Sequence, residues 1–69
     1  MRVVKVLSSN ISTLTYYEDT QVLEIEYVKD ATYKFSSVPL KVFDAFVKSD
    51  SKGKFFHSEI KGTYAFEKL

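Results

Sequence analysis

The chain has no cysteine, no tryptophan, one proline, one histidine and two glycines in 69 residues. Each scarcity excludes something. Without cysteine there is no disulfide and no thiolate zinc site, so a domain near the lower size limit must hold its fold by packing alone. The same lack fits a cytoplasmic protein, and that location is expected. The lone histidine, His57, has no second histidine or cysteine with which to hold a metal, and no metal or other cofactor is expected. Ten basic side chains nearly cancel nine acidic ones, so no strong overall field draws the chain to DNA or to anionic lipid. No apolar run approaches the roughly 20 residues of a membrane crossing. Met1–Leu7 is too short and too polar for a signal peptide, so no membrane partner is expected. The one abundance is rings: five tyrosines and six phenylalanines, each able to bury a large area.

Along the chain there is no repeat, linker or low-complexity tract, and residues 1–69 read as one domain. "RVVKV" from Arg2 suits a short strand. "SSNI" is turn chemistry leading into the extended run "STLTYY", and "EDTQ" breaks that run. "VLEIEY" then alternates strictly, with Leu23, Ile25 and Tyr27 on one side and Glu24 and Glu26 on the other. "VKDA" is a hairpin connection in which Asp30 takes a left-handed or turn position, and "TYKFSS" alternates again. Pro39 sits where a helix begins, and Val42, Phe43, Phe46 and Val47 form a stripe at helical spacing. "KSDS" ends that helix and offers Asp50 or Ser51 as the N-cap of a second. The second helix presents Phe55, Phe56 and Ile60 to the core and stops at Gly62. "TYAFEKL" is either an edge strand or a docked tail. The expected architecture is α+β: an antiparallel meander of three to four strands with one face covered by two short C-terminal helices.

Extended across the meander, the alternation puts Leu14, Tyr16, Leu23, Ile25, Tyr27, Tyr33 and Phe35 on one face. Thr13, Thr15, Glu24, Glu26, Thr32, Lys34 and Ser36 fall on the other. A sheet with a single apolar face must cover that face with its helices. Tyr33 and Phe35 are therefore expected in the core. The competing reading makes them an exposed stacking platform for bases, as in some single-strand binders.

The order "SSNI", "LEIEY", "YKF", "VP" before a helix with "VF", then "SKGKFF" and "IKGTY", resembles the KTSC domain from Val6 to Leu69. That family is named for its occurrence at the C-terminus of some lysyl-tRNA synthetases, and it also occurs as free-standing bacterial or phage proteins. The resemblance implies a small α+β domain, for which RNA binding has been proposed. This chain departs from the family pattern in three places. Phe35 stands where a second tyrosine is more usual, Thr15 where a glycine often precedes the first-strand tyrosine, and His57 where asparagine commonly follows the "FF" pair.

For nucleic-acid contact, Lys54, His57, Ser58 and Lys61 are expected on one helical face, opposite Phe56 and Ile60, with Lys52 and Lys68 extending the stripe. Such a face would meet phosphates in a salt-dependent, sequence-tolerant way. The plainer reading is the solvated side of an amphipathic helix, with Lys61 answering the helix dipole. Gly53 in "SKGK" lacks the second glycine and the hydroxyl of a phosphate loop, and it is expected to permit close packing at the helix start. The eight serines include no nucleophile elbow. Glu24 and Glu26 face Lys34 and read as cross-strand charge pairing rather than a catalytic pair. No enzyme signature is present. Two function classes remain. One is a module binding RNA or another single-stranded nucleic acid. The other is a protein-interaction or self-associating regulatory module, using an edge strand or the leftover Val3, Tyr17 and Tyr64. In a variant of the second, a homo-oligomer's interface holds a nucleotide-like ligand.

Overall fold

In a computed structural model covering Met1 to Leu69, the alternating runs become five antiparallel strands. These are β1 (Arg2–Lys5), β2 (Ile11–Tyr17), β3 (Val22–Tyr27), β4 (Thr32–Phe35) and β5 (Phe66–Lys68), in a sheet whose spatial order follows the chain. The register sets Leu14 beside Ile25, Tyr16 beside Leu23, Leu23 beside Phe35 and Ile25 beside Tyr33. A period-two chain in that register puts these large apolar side chains on the same side. Between Ile11 and Thr13 the β2–β3 register shifts by a bulge. The extra residue lets Ile11 and Leu14, an odd number of positions apart, both point inward, and both are buried. On the outer face Glu24 lies opposite Lys34, which in turn lies opposite Glu67.

The strand count exceeds the expected three to four by the short edge strand β5. Its three residues are all exposed, so burial gives its sequence no signature. What fixes it is the backbone ladder to β4, extended by Ser36 N–H donating to Ala65 O at 3.0 Å and Leu69 N–H to Thr32 O at 2.8 Å.

Pro39 is the extended N-cap of α1 (Leu40–Lys48), and its carbonyl accepts from Val42 and Phe43. The helix buries Phe43 and Phe46, which with the half-buried Val42 and Val47 form the expected stripe. Ser51 rather than Asp50 caps α2 (Lys52–Phe55), its side chain accepting from Lys54 N–H at 3.3 Å. After one turn α2 widens into a π-helical turn, Phe56–Ile60, closed by Lys61 N–H to Phe56 O at 2.8 Å. Gly62 then reverses the chain at φ 81°, a conformation that costs a glycine little.

Of the two positions open to Asp30 it takes the turn and not the left-handed one: the non-glycine residues with positive φ are Gln21 and Ser37, and Asp30 follows the turn at Val28 and Lys29 with its Oδ1 accepting from Ala31 N–H at 2.7 Å. One local expectation is corrected: Gly53 does not permit a close approach, because a Cβ there would meet no atom within 4 Å.

Ten residues are buried, all of them apolar or aromatic, and Ile60 of the π turn completes the set. Val38, between sheet and helix, is held at both backbone groups. Its N–H donates to Gln21 O at 2.8 Å, and its carbonyl accepts from the Tyr16 hydroxyl at 2.5 Å. No helix is long and apolar enough to cross a membrane.

Candidate functional site

The cover of the sheet is uneven. Over β2, α1 seals the apolar face, with Phe43 stacked on Tyr16 at 4.7 Å and Phe46 stacked on Phe55 at 5.0 Å. Over β4 the π turn contributes one ring, Phe56, which meets Phe35 edge-on at 78°. The result is a cleft of about 330 Å³ lined by Tyr27, Tyr33, Phe35, Phe56 and Phe66, with Asp30 and Lys61 as its polar members.

The five rings form a closed circuit. Tyr27 meets Tyr33 at 5.5 Å, Tyr33 meets Phe66 at 5.9 Å, and Phe66 meets Phe35 at 5.7 Å. Phe35 meets Phe56 at 5.7 Å, and Phe56 returns to Tyr27 at 5.9 Å. Three of these contacts are edge-to-face, with interplanar angles of 78° to 89°. Edge-to-face packing satisfies the rings' quadrupoles and makes walls rather than a filled stack. Phe35 is the floor at 2% exposure, whereas Phe66 stands 61% exposed on the edge strand.

Burial, followed by the nearby Tyr33 and Asp30, pushes the Tyr27 hydroxyl up to about 12, so it stays a neutral donor at any physiological pH. Asp30 and Lys61 are not joined to each other; the chain's ion pairs are those of Arg2 with Glu18 at 2.9 Å and with Asp44 at 3.6 Å. Beside the cleft lies a shallower groove of about 320 Å³ that shares Tyr27, Asp30 and Phe56 and adds Lys29 and His57. The Phe56 and His57 rings stand 5.5 Å apart.

The expected basic stripe is divided by this geometry. An α-helix would put Lys54, His57, Ser58 and Lys61 on one side, but a π turn rotates each later residue back relative to α spacing. Lys61 and His57 arrive beside the aromatic cleft. Ser58 falls in a separate groove with Lys41, Glu59 and Tyr64, and its hydroxyl donates to Lys54 O at 2.6 Å. Lys54 is exposed and borders neither the cleft nor the groove beside it. Lys52 is used locally, its Nζ donating to Ser49 O at 2.7 Å. Lys68, paired in register with Tyr33, shares the cleft's face of the sheet without lining it. Of the leftover apolar residues, Tyr64 packs against the core, while Val3 is 55% exposed.

Phe35 takes the core position the alternation assigns to it. Tyr33 shares that face but is only half-buried and forms a wall of the cleft. The sequence offered no sign that Phe66, Asp30, Lys29 and these two would gather, since the gathering depends on β5 pairing with β4 and on the π turn.

A single open antiparallel sheet with a helical cover on one face and an aromatic cleft at its uncovered end defines a small α+β domain. The sequence profile of the KTSC domain matches residues 7–64, and the chain belongs to that family. It is 34% identical over 61 residues to an uncharacterized protein of Stutzerimonas stutzeri, covering 88% of this chain and 86% of that one. It is 36% identical over 61 residues to the lysine–tRNA ligase of Trichormus variabilis, and the match spans only 11% of that enzyme. The crystal structure of a KTSC domain protein from Yersinia pestis superposes with a TM-score of 0.94 at 34% identity, over 99% of this chain and 96% of that one.

Proposed function

We propose that the domain is a non-catalytic module that binds single-stranded RNA, taking one unstacked base into the five-ring cleft. The observation that carries this is the junction of an aromatic cleft with unpaired lysines: Lys61 on its lining and Lys29 in the groove beside it, where His57 also lies. Bases splayed out of a strand are held by aromatic faces, and lysines meet the phosphates on either side. A volume of about 330 Å³ lies at the small end of the roughly 300–1,000 Å³ range of ligand sites, which suits a base with its sugar. The presence of the domain within lysine–tRNA ligases supports RNA as the nucleic acid, and the cytoplasm as the place where it is met.

Titration with short single-stranded RNAs at rising salt tests the proposal. Affinity falls with salt, and both Tyr33→Ala and Lys61→Glu weaken binding about tenfold or more, while Lys54→Glu changes it much less. No binding to any RNA at low salt contradicts the reading. So does equal loss from Lys54→Glu and Lys61→Glu with none from Tyr33→Ala, which describes a plain basic surface.

A second reading rests on the edge strand. β5 is unpaired on its outer side, where a second copy can add a strand, and Phe66 on it and Leu69 just beyond it are 61% and 59% exposed. Sedimentation separates the two: a dimer abolished by Phe66→Lys favours strand addition, and a monomer at high concentration removes it.

A further inference from the structure

The two polar members of the cleft are of opposite charge, and neither is paired with the other or with any other side chain. From that juxtaposition we infer that the cleft selects guanine, with Asp30 reading the base's N–H edge and Lys61 its adjacent acceptor edge. The inference rests on the RNA reading above and names the base that the same site takes.

Apolar walls alone do not discriminate, since every base has a π face. Discrimination must come from the rim. Asp30 already accepts from Ala31 N–H with Oδ1, which fixes the carboxylate in the turn. An ionised carboxylate has about four lone-pair sites over its two oxygens, so capacity for two further donors remains. Guanine alone among the RNA bases places two donors side by side, N1–H and the N2 amino group. It also places two acceptors, O6 and N7, on the neighbouring edge, where a lysine is a natural partner. Adenine reverses the pattern at position 6 and would set its amino group toward the ammonium. Uracil has a single N–H, and cytosine offers the carboxylate only its N4 amino group. Guanine thus satisfies both charges at once, and its two-ring face gives the larger contact with the aromatic walls.

The test uses uridine oligomers carrying one central guanosine, inosine, adenosine or cytidine, with the all-uridine oligomer as baseline and the full chain as protein. The guanosine oligomer binds about tenfold or more tighter than the adenosine one, and inosine, lacking the N2 amino group, falls between them. Asp30→Asn, which keeps the acceptor for Ala31, erases the preference for guanosine over inosine, read as the ratio of the two affinities in the same variant. Equal affinity for all four, or the same preference in Asp30→Asn, overturns the guanine assignment and leaves the RNA reading standing. Failure of every oligomer to bind removes both. Preference for cytidine also overturns it, because Asp30 would then be reading an amino group alone.

Discussion

Two tyrosines on the same face of the same sheet meet different fates. Tyr16 on β2 is sealed, its ring stacked parallel on Phe43 at 9° and its hydroxyl bonded to Val38 O. Tyr27 on β3 is only partly buried and stands among rings that meet it edge-on at 89° and 81°. The alternation that places them is the same; the cover differs. Phe43 of α1 lies flat over Tyr16, whereas Phe56 of the π turn meets Tyr27 edge-on. The half under α1 holds the fold, and the half beyond it is left open at a domain size where apolar area is scarce. Leaving rings uncovered costs stability, and a ligand that covers them recovers it.

Substitutions that remove a ring from each half break this contrast most strongly. Phe46→Ala, at a fully buried position, is expected to cost about 3–5 kcal/mol, enough to unfold most of a domain this small. Phe66→Ala on the edge strand costs about 1 kcal/mol or less, with chemical denaturation as the measure of both. A loss at Phe66 as large as at Phe46 would mean that the open half is core as well. Next in size is the hydroxyl pair. Tyr16→Phe strands the Val38 carbonyl and costs about 1–3 kcal/mol, while Tyr33→Phe stays within about 0.5 kcal/mol.

Alkaline titration probes the same contrast through Tyr27. Its hydroxyl titrates near 10.0 in the unfolded chain and near 12 in the fold. Between those values the unfolded state loses the proton first, so stability that is full below pH 10.0 declines as pH rises toward about 12. Tyr16, raised mainly by burial, acts in the same direction. Tyrosine absorbance should show both ionising late, and an unshifted Tyr27 would mean that the cleft is far wetter than its geometry implies. The smallest effects come from the two glycines. Gly53→Ala, in helical backbone with open space beyond it, gains up to about 1 kcal/mol, whereas Gly62→Ala, at φ +81°, loses about 1 kcal/mol.

The parts of this molecule legible in the sequence are those written in periodicity. β2, β3 and β4 alternate, α1 carries its stripe, and Ser51 and Gly62 mark the ends of the second helical segment. β5 was legible only as a choice between strand and tail, because a fully exposed edge strand carries no buried face to betray it. The site was less legible for a sharper reason. Lys54 to Lys61 form one face only if the helix keeps 3.6 residues per turn, and no residue in "FFHSEI" announces a π turn. Phe66 and Asp30 are far apart in the chain and meet only because the meander closes on β5. Tyr33 illustrates both limits: its face was readable from "TYKF", but how far the helices cover it was not.

The most direct measurement is an amide chemical-shift map of the labelled domain titrated with a guanosine-containing single-stranded RNA. The perturbed residues should cluster at Asp30, Tyr33, Phe56, Lys61 and Phe66, leaving α1 and the outer face of the sheet quiet. Shifts confined to Lys54 and its neighbours, to the outer face at Glu24 and Lys34, or to nothing at all would contradict the aromatic cleft as the binding site.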